Sequence, residues 1–129
     1  MVDQIPADDI RQNPGAGLAK ELFVVRSTPT QGLEAIAPYL DRHLQYYQDL
    51  ERKGLLFAAG PLFTNRGQYH QGEGLIILNA KSFSEAEQLA AADPLHQQGV
   101  RHYTIEAWLL CEGSLNLRLT FGSGEIELK

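Results

Sequence analysis

One cysteine, Cys111, stands among 129 residues, so an internal disulfide is excluded and the chain must fold on packing alone. Basic charge is also scarce. Eleven Lys and Arg against sixteen Asp and Glu leave a net charge of -5, which argues against a general nucleic-acid binder, because such a surface must be basic to displace counterions. No apolar run approaches the ~20 residues of a membrane span. The opening segment carries Asp3, Asp8 and Asp9 where an export signal would be basic and then apolar. A cytoplasmic protein with neither nucleic-acid nor membrane partners is expected. His70, His96 and His102 are scattered, with no HxH or HExxH spacing, and no GxGxxG or GK[ST] loop occurs among the glycines; no metal and no cofactor is expected. Cys111 lies beside no obvious activating base and reads as a structural thiol.

What is present is the material of one compact domain. At 43% hydrophobic and 21% charged residues, the chain has enough apolar mass for a core and too little charge for a disordered coil. Residues 1–20, rich in Pro, Gly, Asp and Ala without periodicity, read as a loose arm. Leu22-Phe23-Val24-Val25 opens a strand that ends before Pro29 and Gly32. Leu33, Ile36, Leu40, Leu44, Tyr47 and Leu50 recur every three or four residues, the stripe of a helix. Pro38 costs ~3 kcal/mol inside a helix but almost nothing at its first turn, so the spacing predicts the main helix from about Pro38 to Lys53, stopped by Gly54. A second strand spans Leu55 to Phe63, with Pro61 at an edge or end because proline cannot donate to a ladder. A polar loop follows, then a third strand at Leu75-Ile76-Ile77-Leu78. Ser82-Phe83-Ser84-Glu85 matches the capping box and opens a second helix that stops at Asp93-Pro94, since the residue before proline avoids helical angles. His102 to Cys111 is the fourth strand.

The order β-α-β-β-α-β predicts an α+β, ferredoxin-like fold: an antiparallel sheet with two helices on one face. It occupies residues 21–112. Residues 113–129, alternating at Leu115, Leu117, Leu119 and Phe121 and turning at Gly122-Ser123-Gly124, add a C-terminal β-hairpin of half-buried strands. In the fourth strand Tyr103, Ile105, Ala107 and Leu109 share the face that suits helix packing, while His102, Thr104, Glu106 and Trp108 share the other. A sheet with helices on one face leaves the other to be covered, and a homodimer is expected to do so through Thr104 and Trp108.

His43 lies within the apolar stripe of the first helix, and Asp93 where the second helix breaks. Helices side by side on a sheet can bring such a pair together, and a carboxylate against an imidazole fixes its tautomer and raises its basicity, as a general base requires. On spacing alone, a satisfied core histidine and a helix-terminating Asp-Pro stand as the other reading. Arg26 is a candidate to hold an anionic group by a bidentate contact, Trp108 an aromatic wall for a ring, and Tyr47 a donor to a substrate oxygen.

Several stretches together carry a resemblance: Arg42-His43-Leu44-Gln45-Tyr46-Tyr47; Gly54-Leu55-Leu56-Phe57-Ala58-Ala59-Gly60-Pro61-Leu62; Ser84-Glu85-Ala86-Glu87 followed by Asp93-Pro94-Leu95; and Glu106-Ala107-Trp108. From about Leu22 to Leu110 the chain resembles the YciI-like (YCII-related) family. The resemblance implies a ferredoxin-like fold of the dimeric α+β barrel type and a His–Asp pair beside a pocket, which map here to His43 and Asp93. One relative removes chloride from a chlorinated hydroxyhydroquinone, and the family is similar in structure to muconolactone isomerase. A proton-transfer enzyme follows as the expectation: an isomerase, lyase or dehydrohalogenase acting on a small anionic or phenolic compound, with no metal. A non-catalytic ligand-binding or stress-related module, or a cofactor-free monooxygenase, would use the same pocket. RNA binding shares the element order but is rejected, because Gly74-Leu75-Ile76-Ile77-Leu78 offers nothing to stack on a base.

Overall fold

A computed structural model describes residues 3–129. In chain order the elements are α1 (Ala7–Arg11), β1 (Lys20–Pro29), 3-10 turns at Leu33–Ala35 and Ala37–Tyr39, α2 (Leu40–Arg52), β2 (Leu56–Pro61), β3 (Gly74–Leu78), α3 (Phe83–Ala91), α4 (Pro94–Gln97), β4 (Arg101–Leu110), β5 (Leu117–Leu119) and β6 (Ile126–Leu128). The chain forms two compact units: Glu21–Leu109, and the segment before it together with Leu110–Lys129.

The larger unit is the expected α+β, ferredoxin-like arrangement, an antiparallel four-stranded sheet in the order β2-β3-β1-β4. Cross-strand register puts Phe23 opposite Leu78 and Val25 opposite Ile76. These four side chains form the floor of the core, and α2 and α3 close it from one side with Tyr47, Leu50, Ala86 and Ala90. Val25 and Leu78 are fully buried, each stabilising the fold by roughly 1.5–3 kcal/mol relative to exposure. Tyr103 and Ile105 of β4 pack on the same cluster, as the strand's alternation requires. A second cluster joins Ile36, Leu95 and Val100.

Local chemistry explains the boundaries. Pro38 sits in the 3-10 turn and α2 begins two residues later, so the missing amide lies where no helical partner is needed. Pro61 pairs with Gly74 at the last rung of β2, an edge strand. Ser82 Oγ accepts from the Glu85 amide at 3.1 Å, whereas the Glu85 carboxylate reaches the Lys81 amide at 3.3 Å instead of that of Ser82. The reciprocal half of the capping box is shifted by one residue.

Three expectations are corrected. The segment read as a loose arm contains the short helix α1, with two acidic residues in its first turn and a basic one in its last, complementing the helix dipole. Asp93-Pro94 does not only stop a helix: Asp93 caps the next one, α4. The C-terminal hairpin pairs in regular register, Leu117 with Leu128 and Leu119 with Ile126, but its apolar residues are exposed, Phe121 to 97%. Alternation identified the strands there without implying that either face is covered.

Candidate active site

The helical repeat brings His43 and Tyr47, four residues apart, to one face of α2, with ring centroids 4.9 Å apart in an edge-on arrangement. Opposite them, the Asp93-Pro94 step forces an extended backbone at Asp93 (φ -58°, ψ 125°) and aims its carboxylate back at α2. Asp93 is fully buried. Its oxygens accept from His43 Nδ1 at 3.0 Å each, from the Tyr47 hydroxyl at 2.9 Å and from the Leu95 amide at 2.8 Å. Burial alone would raise the Asp93 pKa. The hydrogen bond and charge of His43, the nearby His96 and the Leu95 amide overcome that and hold it below the ordinary carboxylate value. Burial and the Asp93 charge push the Tyr47 phenol far above its usual range and that of Tyr46 up to about 12, so both stay protonated.

An ionised carboxylate can only accept, so His43 Nδ1 carries the hydrogen and Nε2 holds the lone pair of the neutral ring. Nε2 has no hydrogen-bonding partner among the described residues. No buried side-chain polar atom there lacks a partner, so this nitrogen is open to solvent. His43 lines a cleft of about 510 Å³. Leu33, Leu40 and Leu44, read from the sequence as part of one core-facing stripe, form the apolar wall of that cleft and are 42–51% exposed.

A second layer lies behind the dyad. His96 Nδ1 donates to the Ala90 carbonyl at 2.7 Å, leaving Nε2 to accept from the Ser27 hydroxyl at 2.7 Å. Ser27 Oγ in turn accepts from Arg101 Nε at 2.8 Å. The His96 ring is almost wholly enclosed, and burial pushes its pKa below the ordinary imidazole value, which keeps it neutral. Sequence reading missed all three residues. One further step of alternation would have found two of them: Ser27 continues the Phe23–Val25 face of β1, and Arg101 the Tyr103–Ile105 face of β4. The third, His96, lies three residues after Asp93 and therefore one helical turn from it.

The same alternation separates Arg26 and Trp108 from the cleft. Arg26 is one residue out of phase with Ser27 and forms an ion pair with Glu73. Trp108 is out of phase with Arg101 and is 41% exposed. Neither lines the cleft. Tyr47 does, but its single hydroxyl hydrogen is committed to Asp93, so it is not free to donate to a substrate oxygen. Among the described residues no three His, Cys, Asp or Glu side chains are grouped to hold a metal ion.

The sequence profile of the YCII-related domain matches residues 22–109, most of the chain. The chain belongs to the YCII-related family. No curated protein matches this YCII-related chain by sequence. Among solved structures it is similar to the 5-chloro-2-hydroxyhydroquinone dehydrochlorinase (TftG) of Burkholderia phenoliruptrix AC1100 in complex with 2,5-dihydroxybenzoquinone. The TM-score is 0.58 at 22% identity, covering 67% of this chain and 92% of that one. At that identity the likeness shows the shared fold. No helix among the described residues is long and apolar enough to cross a membrane.

Proposed function

We propose that this YCII-related protein is a small-molecule enzyme of proton-transfer type, with His43 Nε2 as general base and Asp93 as its positioning residue. One observation carries the reading: a buried carboxylate fixes one ring nitrogen of His43 while the other is left unpartnered on the wall of an apolar cleft. A general base needs this division of labour between the two nitrogens. The cleft volume falls in the range of small-ligand sites, and its leucine wall suits a ring.

The reaction class is elimination or isomerisation. His43 takes a proton from a carbon acidified by a neighbouring carbonyl. The freed electron pair then either expels halide from the adjacent carbon, so that HX is lost overall, or accepts the proton back at another carbon. Both balance without oxidant, reductant or metal. The dehydrochlorinase of similar fold, solved with a hydroxylated quinone, gives the class of ring to test first.

The experiment is a screen of hydroxylated and halogenated aromatic rings and small lactones with the wild type and His43→Ala, with and without chelator. Turnover in the wild type that is lost in His43→Ala and survives chelation is the expected result. Equal turnover in the variant overturns the assigned base, and binding without turnover turns the reading into a ligand-binding module.

A further inference from the structure

Arg101 is the only guanidinium or ammonium among the described residues lining the cleft, and none of its partners carries charge. Its Nε donates to Ser27 Oγ at 2.8 Å and its Nη2 to the Ser27 carbonyl at 2.7 Å and to the Gly72 carbonyl. No carboxylate lies within ion-pair distance of it among the described residues. Of the carboxylates nearby, Glu73 on the cleft wall pairs with Arg26. Asp93, which acts on Arg101 through its charge alone, lies buried outside the lining and is enclosed by its three donors. Arg101 therefore spends three of its five N–H donors on neutral groups, which fix its plane. The two on Nη1 have no partner among the described residues. Because no buried side-chain nitrogen there is left unsatisfied, Nη1 reaches solvent.

The backbone holds this orientation rigidly. Gly72 has a positive φ of 97°, and a Cβ at that position would come within 2.3 Å of Pro29 Cγ and 2.8 Å of Leu33 Cδ2. Only glycine delivers its carbonyl to Arg101 from there. A half-buried cation with neutral partners and a fixed plane is a preorganised receptor for an anion, since binding it requires neither breaking an ion pair nor ordering a side chain.

We infer that Arg101 is the anchor for an anionic oxygen of the ligand, through Nη1, and that it makes the cleft selective for enolate, phenolate or carboxylate ring compounds over neutral ones. This rests on the cleft being the substrate site and deepens that reading. It also gives a division of roles: His43 receives the proton, and Arg101 holds the negative charge that its removal leaves on a conjugated oxygen.

The test is calorimetric titration with 2,5-dihydroxybenzoquinone, an acidic ring that is anionic at neutral pH, and with hydroquinone, which is neutral. In the wild type the anion should bind at least about tenfold tighter, and raising the salt should weaken it. Arg101→Gln should weaken the anion by about 30-fold or more while changing hydroquinone by less than about twofold. Arg101→Lys, which keeps the charge without the planar fork, should fall between. Should Arg101→Gln fail to fold, the guanidinium nitrogen resonances of Arg101 in the wild type decide, since they must shift at saturation with the anion. The inference is overturned if those resonances do not move, if Arg101→Gln binds the anion like the wild type, or if the wild type binds neither ring or prefers the neutral one. Loss of turnover in His43→Ala with unaltered anion binding in Arg101→Gln would leave the proposed function standing and remove only the anchor. The converse pattern would remove the assigned base and keep the anion site.

Discussion

Asp93 presents both carboxylate oxygens, each at 3.0 Å, to a single nitrogen of His43, fifty positions away in the sequence. A contact shared in this way fixes ring plane and tautomer together, and Tyr47 and the Leu95 amide keep the carboxylate from rotating out of it.

Substitutions in the dyad should therefore separate chemistry from stability. His43→Gln is expected to lose about 10²–10⁴-fold in kcat with a smaller loss of unfolding free energy than removal of the carboxylate causes, because the Gln amide can still donate a hydrogen bond to Asp93. Asp93→Ala should lose activity and also cost about 3–5 kcal/mol, since it strands the Tyr47 hydroxyl and the Leu95 amide in the interior. Steady-state kinetics with urea denaturation of both variants checks the contrast. Equal destabilisation by both would show that His43 is a structural residue.

The pH dependence of stability should come from His96 before Asp93. The folded pKa of His96 is lowered by burial. An unfolded imidazole near 6.5 binds a proton that the folded one resists, so stability is complete above about pH 6.5 and declines below it, by at most about 1.4 kcal/mol per pH unit. Asp93, also lowered in the folded state, adds a loss only once the pH falls below about 4. Urea midpoints at pH 7.5, 6.5 and 5.5 should drop in the wild type and stay level in His96→Gln. A wild-type midpoint that does not change over this range refutes the assignment.

The fold was legible because each boundary has a local cause: Pro38, Gly54, the Ser82 cap and the Asp93-Pro94 step all mark element ends within a residue or two. The dyad was legible only in part. Spacing placed His43 and Asp93 on neighbouring elements, and the family resemblance, not geometry, favoured their contact. The second layer was missed because its members are far apart in sequence, with Ser27 and Arg101 separated by 74 positions. Arg26 has the charge that an anion site needs, but strand phase sets it on the opposite side of β1 from Ser27. Burial also lay beyond the pattern: the leucines at 40 and 44 and those of the hairpin have core spacing, yet nothing in a one-dimensional repeat says whether a neighbour arrives to cover them.

Removing the Tyr47 hydroxyl isolates one of the donors that hold Asp93. Tyr47→Phe keeps the ring against His43 and leaves the buried carboxylate with one fewer hydrogen bond, for an expected cost of about 1.5–3 kcal/mol. With less stabilisation of its charged form, Asp93 should titrate higher, so acid unfolding begins at higher pH than in the wild type. Thermal denaturation as a function of pH measures both. An unchanged acid transition would show that the phenol contributes packing alone.

The open face of the sheet should be covered by a second copy of the chain. Thr104, Glu106 and Trp108 are exposed there, and an indole at 41% exposure on a face with polar neighbours suits the centre of an interface, where aromatic residues are favoured. A stable dimer buries roughly 1,200–2,000 Å² in total, about what one face of a four-stranded sheet can supply from both partners. The chain has a single tryptophan, so its fluorescence reports on this face alone. Sedimentation equilibrium at micromolar concentration should give twice the chain mass, and Trp108 emission should shift to the red on dilution as the indole meets water. Trp108→Arg should yield a folded monomer, because a guanidinium brought against its own symmetry mate is repelled and left unpaired. A monomer mass with concentration-independent emission in the wild type would refute the dimer.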